Sequence, residues 1–88
     1  MKTAKQLERH LKGVSNHWRI EILRAVSKSE GITLEQIAEQ LDCNMKTISE
    51  HTRRLVQAGL VNKKYLGRNV THALSPYGAR IVKFIDAF

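Results

Sequence analysis

The 88 residues amount to one domain, and a chain this short buries only about 60% of the surface its unfolded form exposes, which excludes a deep pocket behind several layers of structure. A hydrophobic fraction of 42% and a charged fraction of 26% exclude a disordered or fibrous chain, while fifteen Lys and Arg against eight Asp and Glu, a net of +7, point to an anionic partner, nucleic acid before an acidic membrane surface. The single cysteine excludes an internal disulfide, and there is neither an apolar leader nor a run of about 20 apolar residues, so a cytoplasmic protein without a membrane partner is expected.

Helix starts are strongly marked along the chain. Thr3 with Gln6 and Thr33 with Gln36 fit the capping box, in which two side chains satisfy each other's free backbone N–H groups. Asn16 and Asn44 are good N-caps ahead of apolar-periodic runs. Ser75-Pro76 places a cap before a proline at the first helical position, where the missing N–H costs nothing. Gly13 and Gly59 stand where helices should stop, because glycine tolerates the left-handed conformation. These marks predict helices over roughly 4–12, 16–28, 34–41, 45–58 and 76–87.

Between the last two, Leu60–Leu74 reads as a β-hairpin. Val61, Tyr65, Val70 and Thr71 favour strands, and Gly67-Arg68 punctuates the middle as a turn does. The break Asp42-Cys43-Asn44 has the length of the turn in a helix-turn-helix. The expected fold is mainly α with a small β-hairpin: a single winged helix-turn-helix domain over 1–88, five helices plus a wing, in the order α-α-α-α-β-β-α.

Charge is unevenly spread. Residues 1–43 carry seven bases and six acids, a net of +1; residues 44–88 carry eight bases and two acids, a net of +6. An excess gathered in this way suits an anion-facing surface.

The chain resembles the ArsR-type winged helix-turn-helix repressors over nearly its whole length. The resemblance rests on Asn16-His17-Trp18-Arg19-Ile20-Glu21-Ile22-Leu23, on Thr33–Leu41, on Thr47-Ile48-Ser49-Glu50-His51 and on Gln57-Ala58-Gly59-Leu60-Val61. Arg19 falls where that family has an arginine early in its second helix. Ser49 and His51 match the Ser-x-His of its recognition helix, and Ala58-Gly59-Leu60-Val61 the string leading into its wing, which MarR-like proteins share. The resemblance implies a duplex-DNA-binding transcriptional regulator. Thr52 departs from the pattern, which has leucine there. The change removes about 1–2 kcal/mol of apolar burial unless the hydroxyl finds a backbone carbonyl.

Sorted at about 100° per residue, the fourth helix turns Met45, Ile48, Thr52 and Leu55 inward and a wholly polar face outward. Its amino-terminal half is the part of such a motif that enters the major groove. Lys46, Thr47, Ser49 and Glu50 are the candidates for base edges: lysine donates to guanine, and glutamate accepts from cytosine or braces Arg53 and Arg54. Asn44, Arg53, Arg54, Lys63 and Lys64 are the candidates for phosphates, which position without specifying. Arg68, at the wing tip, has the charge and place to enter a narrow minor groove.

Sensor and catalytic chemistry find no support. The third helix lacks thiolates, the last offers only Asp86, and His10, His17, His51 and His72 lack the paired spacing of a zinc site. No metal or other cofactor is expected. Cys43 reads as a small core hydrophobe. No Ser/His/Asp order, phosphate loop or carboxylate pair suggests an enzyme.

The terminal helices look unpartnered. Tyr77, Ile81, Ile85 and Phe88 form one stripe, widened by Val82 and Phe84, with a thinner stripe of Ala4, Leu7 and Leu11 on the first helix. So much apolar surface on a small domain marks an interface, here with a second copy. The leading expectation is thus a homodimeric repressor acting by operator occupancy. The alternative is a winged-helix module whose basic face serves RNA or a protein complex, without preference for a duplex sequence. A membrane-surface binder would need an amphipathic helix with basic flanks, whereas the bases cluster on the helix-turn-helix and wing.

Overall fold

A computed structural model describes all of residues 1–88. Five helices and one hairpin follow in the expected order: α1 (Ala4–Gly13), α2 (His17–Lys28), α3 (Leu34–Leu41), α4 (Met45–Gln57), β1 (Val61–Leu66), β2 (Asn69–Leu74) and α5 (Pro76–Asp86). All five cap residues work as read. Thr3 and Thr33 complete capping boxes with Gln6 and Gln36. Asn16 Oδ1 accepts from the Trp18 N–H, Asn44 Oδ1 from Thr47 and Ser75 Oγ from Gly78. A cap of this kind is worth about 0.5–2 kcal/mol, a useful increment in so small a domain.

The core lies where α2, α3 and α4 meet over the root of the hairpin. Ile22, Leu23, Ile37, Ile48, Leu55 and Leu60 are fully buried there, joined by Val26, Ile32 and Val61. In the turn of the helix-turn-helix, Asp42 adopts a left-handed conformation at φ 50°, and its N–H returns to the carbonyls of Ala38 and Glu39. Cys43 is only partly buried, packed at the edge of this core.

Antiparallel β1 and β2 pair from Val61 opposite Leu74 to Leu66 opposite Asn69, leaving Gly67-Arg68 as a two-residue loop. Gly67 has φ 62°, the positive value that the first central position of a type II′ turn demands. The segment before α3 adds a short third rung. Ile32 bridges to His72, with the Gly31 N–H donating to the His72 carbonyl and the His72 N–H to the Ile32 carbonyl. His72 is buried, and its Nδ1 donates to the Ile32 carbonyl at 2.9 Å.

Three sequence expectations need correction, and the condition left open at Thr52 is answered. Val82, expected to widen the unpartnered stripe of α5, packs into the domain core instead, and Ile81 lies half-buried against it. Met45, assigned to the inward stripe of α4, is 40% exposed, because the first turn of the helix projects beyond the core. Gly13 is the last residue of α1, not a left-handed stop. It is buried, and a Cβ there would collide with the Ala58 side chain, so its use is the close approach of α1 to the end of α4. The Thr52 hydroxyl, finally, finds no backbone carbonyl: Oγ1 is buried with no hydrogen-bonding group in reach. Gly59, by contrast, follows α4 with φ 77°, as its reading as a helix stop requires.

Candidate nucleic-acid interface

Ile48, Thr52 and Leu55 of α4 face the core, so the polar side chains between them are pushed outward on both flanks. On the wing side, Lys46, Ser49, Glu50 and Arg53 of α4 line one depression together with Lys63 of β1, over a floor of Leu34, Thr52 and His72. On the opposite side, Arg54 and Gln57 line a second depression with Arg9, Lys12 and Gly13 of α1, Arg19 of α2 and Ala58. Helix α4 is thus a ridge between two cationic hollows.

Glu50 sits on the crest of that ridge. Its carboxylate accepts two hydrogen bonds from Arg53 Nη2, at 2.9 and 2.8 Å, and one from Arg54 Nε at 3.3 Å. The hydrogen bond and charge of Arg53, followed by the charge of Arg54, hold its pKa below the ordinary carboxylate range. Of the two uses open to Glu50 on sequence, the structure displays the brace. It fixes the two guanidinium groups, one toward each flank, and leaves their remaining donors outward.

Arg19 is held just as firmly. Its Nε–H donates to His51 Nδ1 at 3.2 Å, and its Nη1 donates to the Lys12 carbonyl at 3.1 Å. One side chain therefore ties α2 to α4 and to the end of α1. An imidazole that accepts at Nδ1 is neutral, with its proton on Nε2. Partial burial first, then the neighbouring Arg19 cation, push the His51 pKa below the ordinary imidazole value, which favours this neutral form. The sequence marked Arg19 and His51 as family positions, but nothing local could pair residues 32 apart.

The other expected site residues are dispersed. The Asn44 oxygen is committed to capping α4 through the Thr47 N–H at 2.8 Å, leaving only its amide NH2 for a phosphate. Thr47 is half-buried beside it. Lys64 alternates with Lys63 along β1 and is exposed outside the wing-side hollow. Arg68 lies apart from both hollows, in a pocket with Glu35 and the start of α3. On the terminal helices and the last residue, Leu7, Leu11, Tyr77, Phe84 and Phe88 are exposed, and Ile81 and Ile85 are half-buried. Phe84 and Phe88 pack edge to face, with ring centroids 5.1 Å apart. Tyr77 joins α5 to α1 through the His10 ring and to the residues before α1 through the Lys2 ammonium.

No three His, Cys, Asp or Glu side chains gather closely enough to hold a metal ion, and no helix is long and apolar enough to cross a membrane. The floor of the wing-side hollow has an unusual pair of atoms. Thr52 Oγ1 and His72 Nε2 are both buried without a hydrogen-bonding group in reach.

Comparison with solved structures returns the same architecture. The homodimeric winged helix-turn-helix DNA-binding domain of Mb0332 from Mycobacterium bovis, a possible ArsR-family regulator, superposes with a TM-score of 0.85 at 24% identity, over 94% of this chain and 77% of that one. HlyU from Vibrio cholerae superposes with a TM-score of 0.87 at 21% identity, over 98% of this chain and 94% of its own. A predicted DNA-binding transcriptional regulator from E. coli gives 0.82 at 21% identity, over 97% and 92%. No curated protein matches the sequence. The model of the helix-turn-helix domain family matches residues 14–64, from the end of α1 into β1, and therefore spans both hollows' share of α2 and α4. The fold is the one implied by the ArsR-type resemblance, and the chain belongs to the helix-turn-helix domain family.

Proposed function

We propose that the protein is a homodimeric, sequence-specific transcriptional regulator of the ArsR type, which represses by occupying a duplex operator. The observation that carries this reading is the wing-side hollow. There Lys46, Ser49, Glu50 and Arg53 of α4 stand beside Lys63 of the wing, with Leu34 the only hydrophobic lining residue. A helix of this kind presents its amino-terminal residues to the major groove, while cations on either side meet the phosphates. In this reading Lys46, Thr47 and Ser49 meet base edges while Glu50 braces Arg53 and Arg54; Asn44, Arg53, Arg54, Lys63 and Lys64 meet phosphates, and Arg68 reaches the minor groove from the wing tip.

Dimerisation is supported by the remaining apolar surface. After Val82 is assigned to the core, Phe84 at 59% exposure on α5 and Phe88 at 96% just beyond its end still stand out, with Leu7 and Leu11 on α1. A two-fold pair would set two α4 helices about 34–36 Å apart, matching half-sites one helical turn apart. Phe84→Glu/Phe88→Glu should convert the sedimenting dimer to a monomer without unfolding it. A native chain of monomer mass at micromolar concentration refutes the dimer.

The DNA reading is tested by duplexes selected from a random pool, with affinity measured against salt. Each phosphate neutralised contributes a log–log slope of about −0.9, so binding should weaken steeply with salt. Lys46→Ala should change base preference by about 1–3 kcal/mol at the position it reads, whereas Lys63→Ala should weaken all duplexes alike. Flat salt dependence, or no sequence preference among duplexes, defeats the proposal and favours a module for RNA or protein.

A further inference from the structure

The hollow on the other flank of α4 is not accounted for by the recognition helix and wing. Its lining contains four cations, Arg9, Lys12, Arg19 and Arg54, the amide of Gln57, and no carboxylate. Lys12 meets an acid only at 3.9 Å, through exposed Glu8 one turn earlier, and no carboxylate pairs with Arg9 or Arg19. Like charges gathered in this way repel one another unless an anion sits between them.

The cluster is also prearranged. Arg9, Lys12 and Gly13 share one face of α1, at the three- and four-residue spacing that aligns helical neighbours, and Gly13 lets that face approach Ala58 closely. Arg19 is pinned by His51 and by the Lys12 carbonyl, while its other Nη donors stay free. Arg54 is steadied by Glu50. Little side-chain entropy is left to lose for two of the four cations, which is what distinguishes a binding site from a solvated charged face.

We infer that Arg9, Lys12, Arg19 and Arg54 form a second phosphate site, which takes the backbone of the DNA strand on the far side of the major groove from the wing. This rests on the DNA-binding reading above and extends it. A helix in a major groove about 12 Å wide has a phosphate backbone on each side. The wing-side hollow, with Lys63 and Arg53, faces one strand, and the α1–α2–α4 hollow faces the other. The amino-terminal helix thereby becomes part of the DNA-binding surface, through residues outside the helix-turn-helix.

The test is the salt dependence of duplex affinity for the full chain and for Arg9→Ala/Lys12→Ala. Both side chains are exposed and alanine is the better helix former, so the variant keeps its fold. The Lys12 carbonyl that receives Arg19 is unaffected. The slope should become shallower by about 0.9 for each lost contact, about 1.8 per protomer, with base preference unchanged. Lys28→Ala/Lys83→Ala removes the same charge away from both hollows and should leave the slope at its wild-type value. A steep wild-type slope that the Arg9/Lys12 variant does not change overturns the second site while leaving DNA binding intact. Equal flattening by the Lys28/Lys83 variant overturns it too, since net charge would then be the cause. A flat wild-type slope removes the DNA reading itself, and the second site with it.

Discussion

The unpaired hydroxyl of Thr52 leads to a quantitative expectation. The residue is 1% exposed in the middle of α4, among Ile48, Leu55 and the floor of the wing-side hollow. Its Oγ1 has lost its hydration and gained no protein partner, a condition that costs about 1–3 kcal/mol. Thr52→Val keeps the shape, replaces the hydroxyl by a methyl and hardly alters helix propensity. It should stabilise the fold by about 1–2 kcal/mol, which for a domain of this size raises the Tm by about 5–15 °C. Urea unfolding with an unchanged m value would read the gain, and duplex affinity should not move because Thr52 is beneath the surface. Destabilisation by the valine would refute the reasoning, since it would mean that the hydroxyl is hydrogen-bonded in solution and that the bond outweighs the desolvation.

Other expectations follow from the close contacts and from His51. Gly78→Ala should destabilise by about 1–3 kcal/mol by calorimetry, although alanine is the better helix former, because its Cβ would strike the Leu60 carbonyl and lift α5 from the core. The folded His51 pKa lies below its unfolded value of about 6.5. Its contribution is therefore intact above that value and is lost as the pH falls through it, while the unfolded chain takes up the proton first. Chemical denaturation at pH 7.5 and pH 5.5 should show a larger loss for the wild type than for His51→Gln; an equal loss in both excludes this linkage.

Local chemistry in this chain was legible, and distant partnership was not. Caps act between residues two or three apart, so Thr3, Asn16, Thr33, Asn44 and Ser75 can be placed from sequence, and each caps its helix in the structure. The hairpin turn is equally local: Gly67 at the first loop position specifies it. Gly13 shows where this ends. Glycine at a helix end suits a stop and a close approach equally well, and only Ala58, on the far side of the sequence, decides for the latter. Val82 fails for a related reason. Helical periodicity orders the side chains around α5 but does not say which shoulder of an apolar stripe meets its own core. Gly78, one turn earlier and buried against Leu60, was the available clue. The bridge from Ile32 to His72 and the bond from Arg19 to His51 have no sequence signature at all.

The charge pattern carries the same lesson into function. A net of +1 over residues 1–43 made the first half look electrostatically idle, since its acids nearly match its bases. Folding separates them. Glu21 turns to Arg24 three residues on along α2, Glu35 goes to the hollow beneath the wing tip, and Glu39 lies in a pocket with Ser29 and Gln36. Arg9, Lys12 and Arg19 are left to converge on Arg54 in a hollow that no carboxylate lines, with Glu8 and Glu50 meeting Lys12 and Arg54 from outside it. Field depends on where charges end up, and a count along the chain cannot supply that. Glu50 completes the argument. As the one carboxylate on the crest of a cationic ridge, it would oppose a polyanion if it stood alone. Bonded to Arg53 toward the wing and Arg54 toward α1, it instead sets the direction of both cations, one for each side of the groove.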